Sequence, residues 1–243
     1  MTTMSPAFAV QGRRERAGLG LVASAIGTVA LFMLSLLVGV LFAGRVYVSP
    51  FAASGTLQRY YIEHHTTIQA VAFLQFGSAL ALAALTCLLF ARLRELAPRA
   101  TGATGAVAVG GGVAAAFLAL NALVQWVLSH TEVVVRQPAL VRALSYLFWM
   151  LGGAGHTAWL GVLLAGASLV TLRGRLLPRW LSLAGLVVAG IAVLSLLTML
   201  TTGLVALIPL GRFPGLVWLV AASLLISGRA GRRAQAVAAS RAA

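Results

Sequence analysis

Lysine and aspartate do not occur in this chain of 243 residues. Cysteine occurs once, at Cys87, and all four acidic residues are glutamate: Glu15, Glu63, Glu95 and Glu132. Charged residues make up 9% of the chain, against about 25% in a soluble domain. Each shortage removes a kind of chemistry. A phosphate-cradling P-loop needs its lysine on the phosphates, so Gly110-Gly111-Gly112 is not one. Schiff-base catalysis on lysine is excluded, and so is phosphoryl transfer through aspartate. A lone thiol cannot close an internal disulfide, and Cys87 reads as a buried apolar thiol inside a helix. Four glutamates, four histidines, tyrosine and Cys87 remain for acid–base work. No catalytic residue is predicted among them.

What the chain has instead is apolar length. It is 60% hydrophobic, with a mean hydropathy of +0.99. Runs of about 20 apolar residues recur, the signature of transmembrane helices. The polar segments between them are too short to bury a core. The expected fold is all-α, an integral membrane helical bundle of six transmembrane helices. Residues 1–16 would be a cytoplasmic tail, 17–228 the transmembrane domain and 229–243 a basic cytoplasmic tail. The net charge of +14 comes from 18 basic residues, every one an arginine. A basic excess often marks nucleic-acid binding. Here the arginines gather at helix ends, where membrane orientation explains them, so no nucleic-acid partner is expected.

The first run, Ala17 to Ala43, exceeds a signal-peptide core of roughly 7–15 residues and lacks a good cleavage site, so it reads as an uncleaved helix. Residues 44–65 form a polar connection with Tyr47, Phe51, Tyr60 and Tyr61 as an interfacial belt. The second helix runs from about Thr67 to Phe90, the third from Gly105 to Ser129, the fourth from Ala143 to Leu172 and the fifth from Trp180 to Ile208. Pro209, Gly211 and Pro214 read as a turn around Arg212. A last apolar run, Phe213 to Ser227, is shorter than the usual span of roughly 17–25 residues. The positive-inside rule decides in favour of a crossing. With six spans and both termini inside, the inner segments hold Arg13, Arg14, Arg16, Arg92, Arg94, Arg99, Arg173, Arg175, Arg179, Arg229, Arg232, Arg233 and Arg241. The outer segments hold Arg45, Arg59, Arg136, Arg142 and Arg212. A Lys-free, Arg- and Ala-rich composition suggests a GC-rich bacterial genome, hence the bacterial cytoplasmic membrane.

The segment Leu176-Leu177-Pro178-Arg179-Trp180-Leu181-Ser182, followed by Leu183-Ala184-Gly185, resembles a segment of a bacterial, actinobacterial-type family of uncharacterised polytopic membrane proteins. In that family a Leu-Pro-Arg-Trp-Leu-Ser segment enters the fifth helix after a basic cytoplasmic loop. The resemblance extends loosely over the chain in helix count and in the polar first outer loop. It implies fold, not activity. Physically the motif is a helix entry: Pro178 precedes the first turn and Trp180 anchors at the interface.

Two constellations carry candidate chemistry. His156 lies about 18 Å down the fourth helix from its outer end, beside Gly152, Gly153 and Gly155. Gln75, Asn121, Ser195 and Thr198 fall in the same outer half, so these five would line one polar cavity. His156 would bond a neighbour such as Gln75 or Asn121, either as interhelical glue or as part of a proton or solute pathway. Glu63, His64, His65, His130 and Glu132 all fall on the outer side. Their types suit Zn²⁺ or another divalent metal, and His65 with His130 suits axial ligation of a haem. Adjacent helical residues point about 100° apart, which works against His64 and His65 sharing one ion. They are expected to be solvated interfacial residues, with no metal and no cofactor bound.

The leading expectation is a structural, regulatory or accessory inner-membrane protein. Its partners would be the bilayer, anionic lipid headgroups at the cytoplasmic Arg clusters, and a protein partner or a second copy. A small transporter or permease with a cavity near His156 is the alternative. A membrane redox or metal-dependent enzyme using the outer histidines is a third.

Overall fold

The computed structural model describes the backbone of residues 6–45 and 47–242 and the side chains of residues 18–45, 47–53 and 55–228. The described residues form an all-α bundle in which six helices are long and apolar enough to cross a membrane. α1 is Pro6–Ala43, α2 Ser54–Glu63, α3 His65–Leu96, α4 Thr101–Leu128, α5 Thr131–Arg136, α6 Pro138–Met150, α7 His156–Arg173, α8 Arg179–Leu194 and α9 Leu207–Ala242. A π-helical turn, Leu151–Gly155, joins α6 to α7, so the fourth span runs unbroken from Pro138 to Arg173. The fifth span ends in a 3₁₀ turn, Ser195–Met199.

The spans pack in chain order around a ring. α1 meets α3, α3 meets α4, α4 meets α7, α7 meets α8, α8 meets α9, and α9 returns to α1. Ser227 Oγ closes the ring by donating to Gly18 O at 3.1 Å. The fourth span also touches α3 and α9. In its most apolar stretch 61% of residues are buried, against 28–44% in the other five, so it is the inward member. Glycine is what lets it sit so deep. A Cβ at Gly166 would stand 2.6 Å from Ala103 O, and one at Gly110 would strike Leu163 N. Backbones of α4 and α7 therefore touch directly, the small-residue packing that membrane helices rely on in place of a hydrophobic driving force.

One end of the bundle carries an ordered cap. The polar connection 44–65 is not loop throughout: α2 buries Leu57 and Tyr61, four residues apart and hence on one face. They pack with Val48, Ile68, Leu128, Val134 and Val141 in a small apolar layer. Gln58 Nε2 donates to Val134 O at 2.9 Å, and Arg142 donates from Nη1 to Pro50 O at 3.1 Å and from Nη2 to Ala52 O at 2.9 Å. Burial pushes the Tyr61 hydroxyl above its ordinary value, and burial beside Tyr61 pushes Tyr60 up to about 12. At neutral pH both are hydrogen-bond donors, and Tyr61 shares a 3.3 Å bond with Ser145 Oγ.

The opposite end carries Arg92, Arg94, Arg99, Arg173, Arg175 and Arg179; the side chains of Arg13, Arg14, Arg16, Arg229, Arg232, Arg233 and Arg241 lie outside the described residues. The Pro-Arg-Trp-Leu-Ser segment is a fastening point there. Pro178 stands just before α8, Trp218 Nε1 of α9 donates to Leu181 O at 2.8 Å, and Ser182 Oγ shares a 3.1 Å bond with Thr171 Oγ1 of α7.

The sixth span departs from the sequence reading. Pro209, Gly211 and Pro214 do not make a turn; α9 starts at Leu207 and runs through all three. Pro209 lies in the first helical turn, where a missing N–H leaves nothing unpaired. Pro214 lies inside the helix and removes one rung. Gly211 earns its place by contact, since a Cβ there would stand 2.6 Å from Ala192 Cα of α8. The apolar run is therefore Thr202–Gly228, 27 residues, long enough to cross. Arg212 is consequently within the span, not in an outer loop.

Candidate functional site

The site is built where the fourth span loses its α-helical register. Three glycines in five residues, Gly152, Gly153 and Gly155, have weak helix propensity and no side chain to resist rearrangement. The chain there takes one π turn. Such turns shift hydrogen bonds to i→i+5 and turn carbonyls away from the regular ladder. Neighbours occupy the space the missing side chains leave. A Cβ on Gly152 would strike the Asn121 amide, and one on Gly155 would strike the Phe117 ring.

Arg212 reaches this turn from α9. Its Nη2 donates to Gly152 O in a short bond, to Gly153 O at 3.2 Å and to Thr157 Oγ1 at 2.8 Å. Its guanidinium lies over the Phe32 ring, 5.4 Å from the centroid, in a cation–π contact. Its Nε is buried without a hydrogen-bond partner. No carboxylate neutralises it among the described residues: Glu63, Glu95 and Glu132 are all exposed, and Glu95 pairs with Arg92 at 2.7 Å. An ionisable side chain within a membrane span is costly, and such residues mark substrate or ion paths.

Arg212 lines a cavity of about 250 Å³. Phe32 and Leu36 of α1, Gln75 of α3, Leu118 and Asn121 of α4, Phe148 and Trp149 of α6, Gly152 and Gly153 of the π turn, Tyr47, and Val205, Ile208, Pro209 and Phe213 of the last span complete the wall. The wall is mostly aromatic and aliphatic, with four polar side chains, Tyr47, Gln75, Asn121 and Arg212. Asn121 Nδ2 donates to Gln75 Oε1 at 2.8 Å, while Asn121 Oδ1 is buried without a partner. At about 1.5 Å per residue, Asn121 lies about 10 Å and Gln75 about 15 Å from the capped ends of their helices. The cavity thus occupies the capped half of the bundle.

Of the five residues expected to share a cavity, the structure brings Gln75 and Asn121 together on its wall. His156 is buried just beyond. Its Nδ1 donates to Ala114 O at 2.9 Å, not to Gln75 or Asn121, which bond each other instead. Ser195 and Thr198 are buried too, but they back-bond within their own turn, to Ala192 O at 2.6 Å and Ser195 O at 2.8 Å. Neither lines the cavity. Among the described residues no three His, Cys or Glu side chains form a group able to hold a metal. His65, His130, Glu63 and Glu132 are exposed and His64 is half-buried; Cys87, expected to be buried, is exposed on the surface of the bundle. His130 Nδ1 bonds Trp126 O at 2.9 Å, and the His64 ring lies tilted against Tyr60, centroids 5.2 Å apart. Sequence reasoning missed Arg212. The signal was present, an arginine flanked on both sides by apolar runs, but two prolines and a glycine around it imitate a loop.

Compared with protein-family models, curated proteins and solved structures, the chain matches none. What it does must be argued from the site.

Proposed function

We propose that this is a small permease of the bacterial cytoplasmic membrane that admits a small polar solute through the cavity beside the π turn. The observation that carries the reading is Arg212, a cation with no counter-ion among the described residues, set on a mostly apolar wall beside the amides of Gln75 and Asn121. A buried donor or acceptor without a partner costs about 1–3 kcal/mol. Arg212 brings such a cost into the span, and a solute that pairs with its guanidinium from the cavity offsets it. Binding sites tend to have this make-up, apolar walls with a few placed polar groups.

The arginine distribution supports an orientation with the α2–α5 cap outside and both termini in the cytoplasm. With Arg212 inside the span, the outer face keeps only Arg45, Arg59, Arg136 and Arg142. The cytoplasmic clusters then meet anionic headgroups. Uptake of radiolabelled small polar solutes into proteoliposomes tests the reading. At least one should enter faster than into protein-free vesicles, and equal entry for all would refute it.

A second reading has its own support. The three acceptors on Arg212 Nη2 tie the sixth span to the fourth, which a purely structural or accessory protein would also need. In that case Arg212→Gln would lower stability and leave no solute-dependent property to lose.

A further inference from the structure

We infer that the cavity is a recognition site for a small organic monoanion, a carboxylate on an apolar or aromatic body, with Arg212 as its counter-ion. The inference rests on the solute-binding reading above and names the solute's class.

The argument begins with donor counting. A guanidinium has five N–H donors and stays protonated. Nη2 supplies two of them, and these already meet Gly152 O, Gly153 O and Thr157 Oγ1. Nε is enclosed with no acceptor, out of a ligand's reach, whereas Nη1 carries two donors that meet no acceptor among the described residues and is not fully enclosed. The contacts Arg212 does have are neutral carbonyls, a hydroxyl and the face of Phe32, so its charge is spread but not cancelled. A ligand that lowers the energy of this arrangement brings a negative charge and at least one acceptor oxygen.

The surroundings then narrow the class. Among the described residues Arg212 is the only basic side chain on the wall, and no histidine joins it. Two negative charges would leave one uncompensated at membrane depth, which disfavours a phosphate monoester dianion. The rest of the wall argues against a bare inorganic ion. Phe148, Trp149 and Phe213 present apolar surface that water covers poorly and an apolar body covers well. The volume of about 250 Å³ falls below the range of about 300–1,000 Å³ for drug-sized ligands. That size suits a short acid such as an aromatic carboxylate, not a long acyl chain. Carboxylate on guanidinium is also among the stronger hydrogen bonds available, because both partners are charged.

The test uses the purified full-length protein and a matched pair of probes, benzoate and benzamide, which share a shape and differ in charge. Binding is read by calorimetric titration, with chloride, inorganic phosphate and palmitate as competitors. Benzoate should bind saturably and benzamide at least tenfold more weakly. None of the three competitors should displace benzoate at equal concentration. Arg212→Gln should weaken benzoate by roughly ten- to a hundredfold, the value of a hydrogen bond to a charged group. It should leave benzamide unchanged, and Arg212→Lys should fall between. The wild-type comparison alone decides the matter should Arg212→Gln fail to fold. Equal binding of benzoate and benzamide would overturn the anion assignment and leave a neutral-solute cavity standing. Displacement by chloride or phosphate would overturn the organic monoanion in favour of an inorganic anion, and displacement by palmitate in favour of a lipid. If neither benzoate nor benzamide binds, both this inference and the solute-binding reading fall.

Discussion

Replacing Gly152 by alanine probes the site with one methyl group. The added Cβ would strike Asn121 Oδ1 and stand 2.7 Å from its Cγ and 3.0 Å from its Nδ2. The amide must move, and it is held by the 2.8 Å bond to Gln75. Forcing a group into a packed interior costs about 1–3 kcal/mol. Losing one interhelical bond in a membrane adds about 0.6 kcal/mol. Against this, alanine is the better helix former by at most about 1 kcal/mol. The net expectation is a loss of about 0.6–3.6 kcal/mol. Gly112→Ala is the control, because nothing lies within 4 Å of a Cβ there. It should be neutral or stabilising by up to about 1 kcal/mol. Reversible unfolding in mixed micelles with rising SDS measures both. If Gly152→Ala is as stable as Gly112→Ala, the close approach of Asn121 to the π turn is wrong.

Other outcomes follow from single contacts. His156→Gln keeps a donor for Ala114 O and should retain most of the stability, whereas His156→Leu should lose about 0.6–1 kcal/mol in the same unfolding assay. Trp218→Phe removes the bond to Leu181 O and should cost about 0.6 kcal/mol or more at the arginine-rich end. In the cap, Tyr60 has a folded pKa raised from 10.0 to about 12. Its contribution to stability is therefore complete below pH 10 and is lost as pH rises from there through 12. Ultraviolet titration should show late-ionising phenols, one fewer of them in Tyr60→Phe; an unchanged number of late phenols in that variant would refute this. A reporter fused after Arg233 that is active only outside the cytoplasm should stay silent if both termini are inside.

The spans were legible because hydropathy over about 20 residues is a strong, local signal. Thr67 to Phe90, read from the sequence, falls inside α3, and the run from Gly105 overlaps α4. The cap was less legible. Leu57 and Tyr61 give one buried face over only ten residues, and four aromatics in a short connection suit an interface equally well. The site was legible in part. Gln75 and Asn121 stood out as amides in apolar runs, and they do meet. His156 also stood out, but its partner is the backbone carbonyl of Ala114, which no side-chain pattern reveals. Arg212 was hidden because proline and glycine signal a turn in water, while inside a bundle they are tolerated in the helix. The π turn depended on tertiary packing, since Asn121 and Phe117 come from another helix.

The central claim, a solute cavity in the capped half of the bundle with Arg212 on its wall, is tested most directly by thiol access. Leu36 lines the cavity, and its neighbour Leu37 is 51% exposed on the surface of the bundle. In a Cys87→Ser background, Leu36→Cys should react with a membrane-impermeant maleimide applied outside intact cells. Leu37→Cys, in lipid, should not, because the reacting thiolate needs water. Benzoate should protect Leu36→Cys from the reagent. Equal silence at both positions, or labelling of Leu36→Cys that no solute slows, would contradict the account.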